Sequence, residues 1–202
     1  MNPTLRDTLL DEAYHLFLRE GIDSNSQEQI TAKLDVSPAT FREMFRDKAD
    51  LVLQVTQYDI ARQKRVHAAL FAQEPNAIKR LLSLLEIGIK DLRQVSPQYI
   101  ADIQKYPEAW DLALDHLTNY SGPQMHQILN DGVLQKMIRG DINIGLVTKI
   151  ILEMVNLLLN EQVFPPSRYS IAEVYRSIYL YYIRGLCTEE GIQAAAEHFS
   201  RM

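Results

Sequence analysis

Glu12 and His15 are the first residues whose types and spacing could do chemistry, because Glu-x-x-His sets a carboxylate and an imidazole on one helical face. A carboxylate-bridged metal centre needs a second such pair and two more inward glutamates. No second Glu-x-x-His occurs in the chain, so the pair reads as a surface pair. His116 and His126 have no spacing that predicts convergence. Cys187 is the single cysteine, lacks an activating neighbour motif, and reads as a small buried or half-buried side chain. Glycine-rich phosphate loops, nucleophile elbows and zinc-ligand spacings are all absent from the sequence. These residues argue against an enzyme and imply no metal and no cofactor. What remains is a surface of hydroxyls and charges between Gln27 and Lys48.

The elements that must position that surface are helical. The chain has 202 residues, 47% of them hydrophobic, enough for a substantial core. A lone cysteine suits a reducing cytosol. Arg6 and Asp7 interrupt any apolar leader in the first ten residues. The most apolar run, Ile150 to Leu159, contains Glu153 and is too short to span a bilayer. The expectation is a cytoplasmic protein without a membrane partner. Leu5, Leu9, Ala13, Leu16 and Phe17 repeat at three and four, marking one face of a first helix. Asn2-Pro3 reads as its start and Gly21-Ile22 as its stop. Ser26 with Gln29 reads as a capping box for a second helix, with Ile30 and Leu34 inward. After a break at Asp35-Val36, Ser37-Pro38 opens a third, with Phe41 and Phe45 inward. Asp47 caps a fourth, whose apolar positions include Leu51, Val52 and Val55.

Short helices joined by a tight turn are the layout of a helix-turn-helix, whose exposed third helix fits the major groove of DNA. Phe41, Met44 and Phe45 lie on one side of the third helix; Ala39, Thr40, Arg42, Glu43 and Arg46 lie on the other. Charge opposes this reading. The net charge is −5, and residues 1–48 hold six basic against nine acidic residues. Phosphate affinity draws on Lys and Arg, so placement must supply what the total does not. On helical periodicity alone, Arg42, Arg46 and Lys48 read as solvated charges paired with Glu43 and Asp47.

The detailed sequence is more specific. Leu10-Asp11, Ala13, Leu16-Phe17, Glu20-Gly21, Ile30, Ala32, Leu34, Val36-Ser37, Thr40, Phe45, Lys48 and Leu51 follow one another without a gap. In this, Leu9 to Val55 resembles the N-terminal domain of the TetR family of transcriptional regulators. The resemblance implies a helix-turn-helix from Gln27 to Arg46. It places Ser37 and Thr40 at positions touching the phosphate backbone and Lys48 at the family's phosphate-binding lysine. A helix N-terminus also favours an anion at Lys48 on physical grounds. Pro38 and Ala39 stand where lysine and glycine are usual, which removes one phosphate contact. Arg42, Glu43 and Met44 stand where aromatic residues and a histidine or tyrosine are common. Arg42 can pair bidentately with guanine, and Glu43 can accept from cytosine or repel the backbone.

The expected architecture is all-α: a DNA-binding head over residues 1–48 on a helical ligand-binding and dimerisation body over residues 49–202. About six helices are expected in the body, among them Gly122-Pro123 to about Arg139, Asn143 to Val163, and Ser170 to Gly185. The last two are apolar on more than one side, and a helix apolar on two sides must be buried on two sides. One side packs on its own body and the other implies a second copy, through Ile151, Val155, Leu158, Tyr175, Ile178 and Tyr182; burial within a single fold is the alternative. Tyr99, Tyr106, Trp110, His116 and Tyr120 mix aromatic and polar groups as a small-molecule pocket does, although plain core would look alike. The sequence thus points to a homodimeric repressor on a palindromic operator in double-stranded DNA, released by a small-molecule ligand. The rival is an all-α binding protein of the same fold that has lost DNA affinity.

Overall fold

The structure, a computed structural model, describes residues 4–201. It is all-α. Among the described residues twelve α-helices occur with one π-helical turn and no strand, apart from an isolated antiparallel bridge between Ile138 and Cys187. The chain divides into two compact units. The first runs to Arg65 and includes Gln94–His116; the second comprises Val66–Arg93 and the chain from Leu117 onward. The sequence reading divides head from body at residue 48, whereas the compact units part within the long fourth helix.

The first unit is built from α1 (Leu5–Glu20), α2 (Gln27–Lys33), α3 (Pro38–Met44), the N-terminal part of α4 (Lys48–Gln73), α6 (Pro97–Ile103) and α7 (Pro107–His116). The caps are mostly those the sequence announces. Ser26 and Gln29 form the reciprocal capping box of α2. Ser37 Oγ accepts from the Thr40 amide at 3.0 Å with Pro38 in the first turn of α3. The Asp47 carboxylate accepts from the Asp50 amide at 2.8 Å to open α4. The start of α1 is the exception. Thr4, with Asp7 as its reciprocal partner, caps that helix; the expected start at Asn2 and Pro3 lies outside the described residues. Leu9, Ala13, Leu16 and Phe17 of α1 close over Ile30, Leu34, Phe41, Phe45, Leu51 and Val55 as one core. The turn between α2 and α3 puts Asp35 at φ 53°, a left-handed conformation that Asp tolerates better than most residues.

The second unit holds α5 (Ala77–Leu92), a π-helical turn (Leu117–Ser121), α8 (Gly122–Leu134), α9 (Ile144–Leu158), α10 (Ile171–Leu186), α11 (Glu189–Ala194) and α12 (Ala196–Arg201). With α6 and α7, eight helices follow α4 where about six are expected, because α6 and α12 are too short to show periodicity. Its core joins Ile78, Leu81, Leu82 and Leu85 of α5 to Leu129 of α8, Ile151 of α9 and Leu180 and Ile183 of α10. The α8 helix starts at Gly122 as the sequence reading has it, with Pro123 in its first turn and the π-helical turn directly before it. Two other boundaries differ from that reading. The α8 helix ends at Leu134, before the left-handed Lys136 (φ 58°). The α9 helix ends at Leu158, where the chain turns toward Pro165.

Candidate nucleic-acid interface

The presenting helix α3 is fixed from below by two rings. Phe41 and Phe45 are each 1% exposed, and their centroids lie 5.2 Å apart in a tilted pair. Burying a ring of this size is worth about 1.5–3 kcal/mol, and at i and i+4 the two rings set the helix's rotation about its axis. The outward face follows from that. Ser37, Pro38, Ala39, Arg42, Glu43 and Arg46 are exposed, Thr40 is half-exposed, and Gln27 at the start of α2 is half-exposed beside them. Gln27, Thr31, Val36, Pro38, Phe41 and Arg42 line a groove between α2 and α3.

The positive charges of this face fare differently. Arg46 hydrogen-bonds Asp50 through its amide (2.9 Å) and its guanidinium (3.2 Å), and these contacts hold the Asp50 carboxyl below its ordinary value. Lys33 bonds Glu20 and holds that carboxyl low in the same way. Lys48 Nζ donates to the Asn25 carbonyl at 2.8 Å and lies 3.7 Å from Asp23 Oδ1. Arg42 and Glu43 make no hydrogen bond or ion pair among the described residues. The sequence pairs Arg46 and Lys48 with Glu43 and Asp47; their actual partners are Asp50, Asp23 and Asn25.

Sequence reading missed the group that braces Lys48. Asp102 of α6 is 2% exposed, and its Oδ2 accepts from the amides of Ile22 (2.9 Å) and Asp23 (2.8 Å). A buried carboxylate is tolerable only when hydrogen-bonded or paired, and here Lys105 also donates to Oδ1 at 2.8 Å. The approach is tight. Gly21 sits at φ +82°, and a Cβ added there would lie 2.8 Å from Gln98 Cβ and 3.0 Å from Asp102 Oδ2. Asp23 in turn accepts from Lys105 (2.9 Å) and the Tyr106 hydroxyl (2.8 Å). Lys105 foremost, opposed by some burial, holds Asp23 below its ordinary value. The only sequence signal was an acid and a lysine three apart at the end of a short helix, which resembles any solvated helix end.

The other expected sites are dispersed. Tyr99, Tyr106 and Trp110 pack against the core of the first unit, and burial pushes the Tyr99 and Tyr106 hydroxyls well up. His116 ends α7 in that unit, whereas Tyr120 belongs to the second, where its ring stacks over His67. The second unit contains a small apolar cavity of about 40 Å³ lined by Leu81, Leu84, Leu85, Met125, Ile151, Tyr175, Tyr179 and Ile183. Of the expected dimer residues, Ile151 and Leu158 are in the core of the second unit. Val155 is half-exposed, and Tyr175, Ile178 and Tyr182 are partly buried against that core. On α9 and α10, the exposed apolar side chains include Leu146, Ile150 and Leu157 along one stripe of α9, and Tyr181 of α10. His15 lies 3.8 Å from Asp11, not beside Glu12. No group of three His, Cys, Asp or Glu residues suited to a metal occurs among the described residues.

Residues 9–55 match the family described as bacterial regulatory proteins, tetR family. A search of curated proteins finds no match. Solved structures resemble the whole chain. A transcriptional regulator from Saccharomonospora viridis in complex with choline is 18% identical, with a TM-score of 0.72 over 91% of this chain and 98% of that one. A TetR-family transcriptional regulator from Streptomyces coelicolor is 18% identical, with a TM-score of 0.68 over 90% and 93%. The reduced form of NemR from E. coli is 16% identical, with a TM-score of 0.68 over 92% and 98%. At these identities the structures speak for the fold. The tetR-family match covers the head, residues 9–55, and the chain as a whole is similar in fold to these regulators.

Proposed function

We propose that this protein is a sequence-specific DNA-binding transcriptional regulator, a homodimeric repressor released by a small molecule in the cytoplasm. The observation that carries the reading is α3: rigidly seated on Phe41 and Phe45, it turns outward an arginine, Arg42, with no partner of its own. An unpaired guanidinium on a presented helix is suited to bidentate readout of guanine, while Ser37, Thr40 and Lys48 stand where phosphates would pass. Ligand control is supported by analogy to the fold's choline-bound relative, and the cavity between α5, α8, α9 and α10 is the seat we favour. The second copy would dock on exposed apolar side chains, Leu146, Ile150 and Leu157 of α9 and Tyr181 of α10. A charge at Ile151 would test folding instead, since that side chain is core. Two-fold symmetry would make the operator a near-palindrome.

A second reading, the same fold without DNA affinity, is favoured by the internal pairing of Lys33, Arg46 and Lys48. A mobility shift on the chain's own upstream DNA at low salt separates the two. The regulator reading expects a specific complex, which Arg42→Ala weakens by about 1–3 kcal/mol on that site but not on random duplex. Equal loss on both duplexes would sink the assignment of Arg42.

A further inference from the structure

Four charged side chains in the first unit alternate in sign from α6 to the start of α4: Asp102, Lys105, Asp23 and Lys48. The contacts run 2.8 Å, 2.9 Å and 3.7 Å along that order. Only the last is loose, and it involves the lysine at the proposed phosphate position. Asp23 is therefore shared. Lys105 and Tyr106 bond its two oxygens at 2.9 and 2.8 Å, and Lys48 approaches the Tyr106-bonded oxygen without closing on it.

We propose that Lys105 is a positioning residue for DNA binding: by occupying Asp23, it leaves the Lys48 ammonium available to a DNA phosphate. The proposal rests on the regulator reading above. Its physical basis is competition for one carboxylate. Charge-assisted bonds to carboxylates are short and strong, so an Asp23 that has lost Lys105 will take the nearest remaining cation. That cation is Lys48, whose side chain is only 21% exposed and is already steered toward Asp23 by its bond to the Asn25 carbonyl. Asp102 fixes the geometry, because its grip on the Ile22 and Asp23 amides sets where the Asp23 side chain starts. Residues on α6 and just beyond it, far outside the matched head, thereby govern a contact at the start of α4.

The test uses Lys105→Met, Lys105→Arg, Asp23→Asn and the double variant Asp23→Asn/Lys105→Met. Lys105 is 58% exposed, so its replacement spares the core. Affinity is measured by fluorescence anisotropy on the upstream duplex and on a random duplex, across salt. Losing one phosphate contact flattens the salt slope by about 1 per head and weakens binding about five- to tenfold at 0.1 M salt on both duplexes. Lys105→Met should show that loss, Lys105→Arg should retain wild-type binding, and the double variant should recover it. If Lys105→Met binds as wild type does, the proposal is overturned. A double variant as weak as Lys105→Met also overturns it, and would mean that Lys105 touches phosphate itself. A second readout needs no DNA: in the free protein, Lys105→Met should slow exchange of the Lys48 ammonium protons in NMR, and Asp23→Asn should reverse it. An unchanged Lys48 signal overturns the proposal. A wild type that binds neither duplex fails the regulator reading instead, and the Lys48 signal then decides the Lys105–Asp23–Lys48 competition by itself.

Discussion

Asp102 and Tyr179 are both buried polar side chains, one in each compact unit, and they are satisfied in different ways. Asp102 is ionic and crowded: two backbone amides and an ammonium converge on it, and its neighbours carry further charges to the surface. Tyr179 is neutral, donating one hydrogen bond of 2.7 Å to the Ile151 carbonyl while its ring packs on that of Tyr175 in an otherwise largely aliphatic core. Beside it Tyr175 packs on Gly88, and burial pushes its hydroxyl up to about 12. The first unit fixes a shape, because charge-assisted bonds to named amides tolerate little displacement. The second encloses apolar volume with a small cavity, and directional contacts such as Arg80–Asp131 and Gln135 with the Ala77 amide and the Pro75 carbonyl lie outside the residues that line it.

The largest effect should come from breaking the first unit at its ring pair. Phe41→Ala removes a fully buried ring, and such truncations cost about 3–5 kcal/mol. We expect urea unfolding followed by far-UV circular dichroism to show a lowered midpoint for the first unit, with DNA binding lost. A variant with an unchanged midpoint would mean that α3 is held by something other than Phe41 and Phe45.

The ionic site should come next. Asp102→Asn keeps size and one carbonyl acceptor but replaces an oxygen facing Lys105 or the amides with a donor. Leaving a buried partner unsatisfied costs about 1–3 kcal/mol. Thermal unfolding near neutral pH should show that loss. Acid should shrink the difference between the variant and the wild type. Asp23, whose position depends on Asp102, has a depressed folded value, so its contribution is present above its ordinary 3.8 and disappears as pH falls through the lower folded value. A difference that persists undiminished in strong acid would place the cost of Asp102→Asn outside this charge cluster.

These two sites also mark how far the sequence was legible. Phe41, Phe45, the Ser26–Gln29 box, Ser37-Pro38 and the Asp47 cap could be read because each depends on residues within four positions of itself. The helix-turn-helix, its outward residues and the all-α class followed from those. The Asp102 site could not, since it joins residues about eighty apart and its meaning comes from burial that a seven-residue helix does not advertise. The same reason explains α9, where an apolar stripe was visible but not its inner and outer sides. Ile151 and Leu158 turn out to be core, while Leu146 and Leu157 stay outside.

A smaller effect is expected at the neutral site. Tyr179→Phe keeps the ring and deletes the hydroxyl, leaving the Ile151 carbonyl one bond short, although within a helix that oxygen has its own ladder partner. The loss should sit near the typical net value of a hydrogen bond, about 0.5–1.5 kcal/mol. Guanidinium unfolding of the wild type and of Tyr179→Phe measures it. A loss as large as that of Asp102→Asn would remove the contrast between a directional first unit and a tolerant second one.

The smallest expected effect is no change at all, and it is the sharpest check on treating the units separately. Cys187 is 8% exposed at the end of α10, with its thiol donating to the Ile183 carbonyl, and burial pushes it up to about 11. Only the thiolate reacts with alkylating reagents. At pH 8 the raised value leaves about a hundredfold less thiolate than an ordinary cysteine, before any steric protection is counted. Native protein should therefore label with iodoacetamide at least about a hundredfold more slowly than protein unfolded in urea. The sign also fixes the alkaline behaviour: a thiol raised in the folded state stabilises below its ordinary value near 9 and loses that contribution as pH climbs toward 11. The informative measurement is the labelling rate in Phe41→Ala at a urea concentration that opens the first unit. If the second unit stands on its own core of Leu81, Leu82, Leu129 and Ile183, Cys187 stays protected there. If the thiol becomes reactive in step with loss of the first unit, the two cores unfold as one, and the contrast between them is one of chemistry alone.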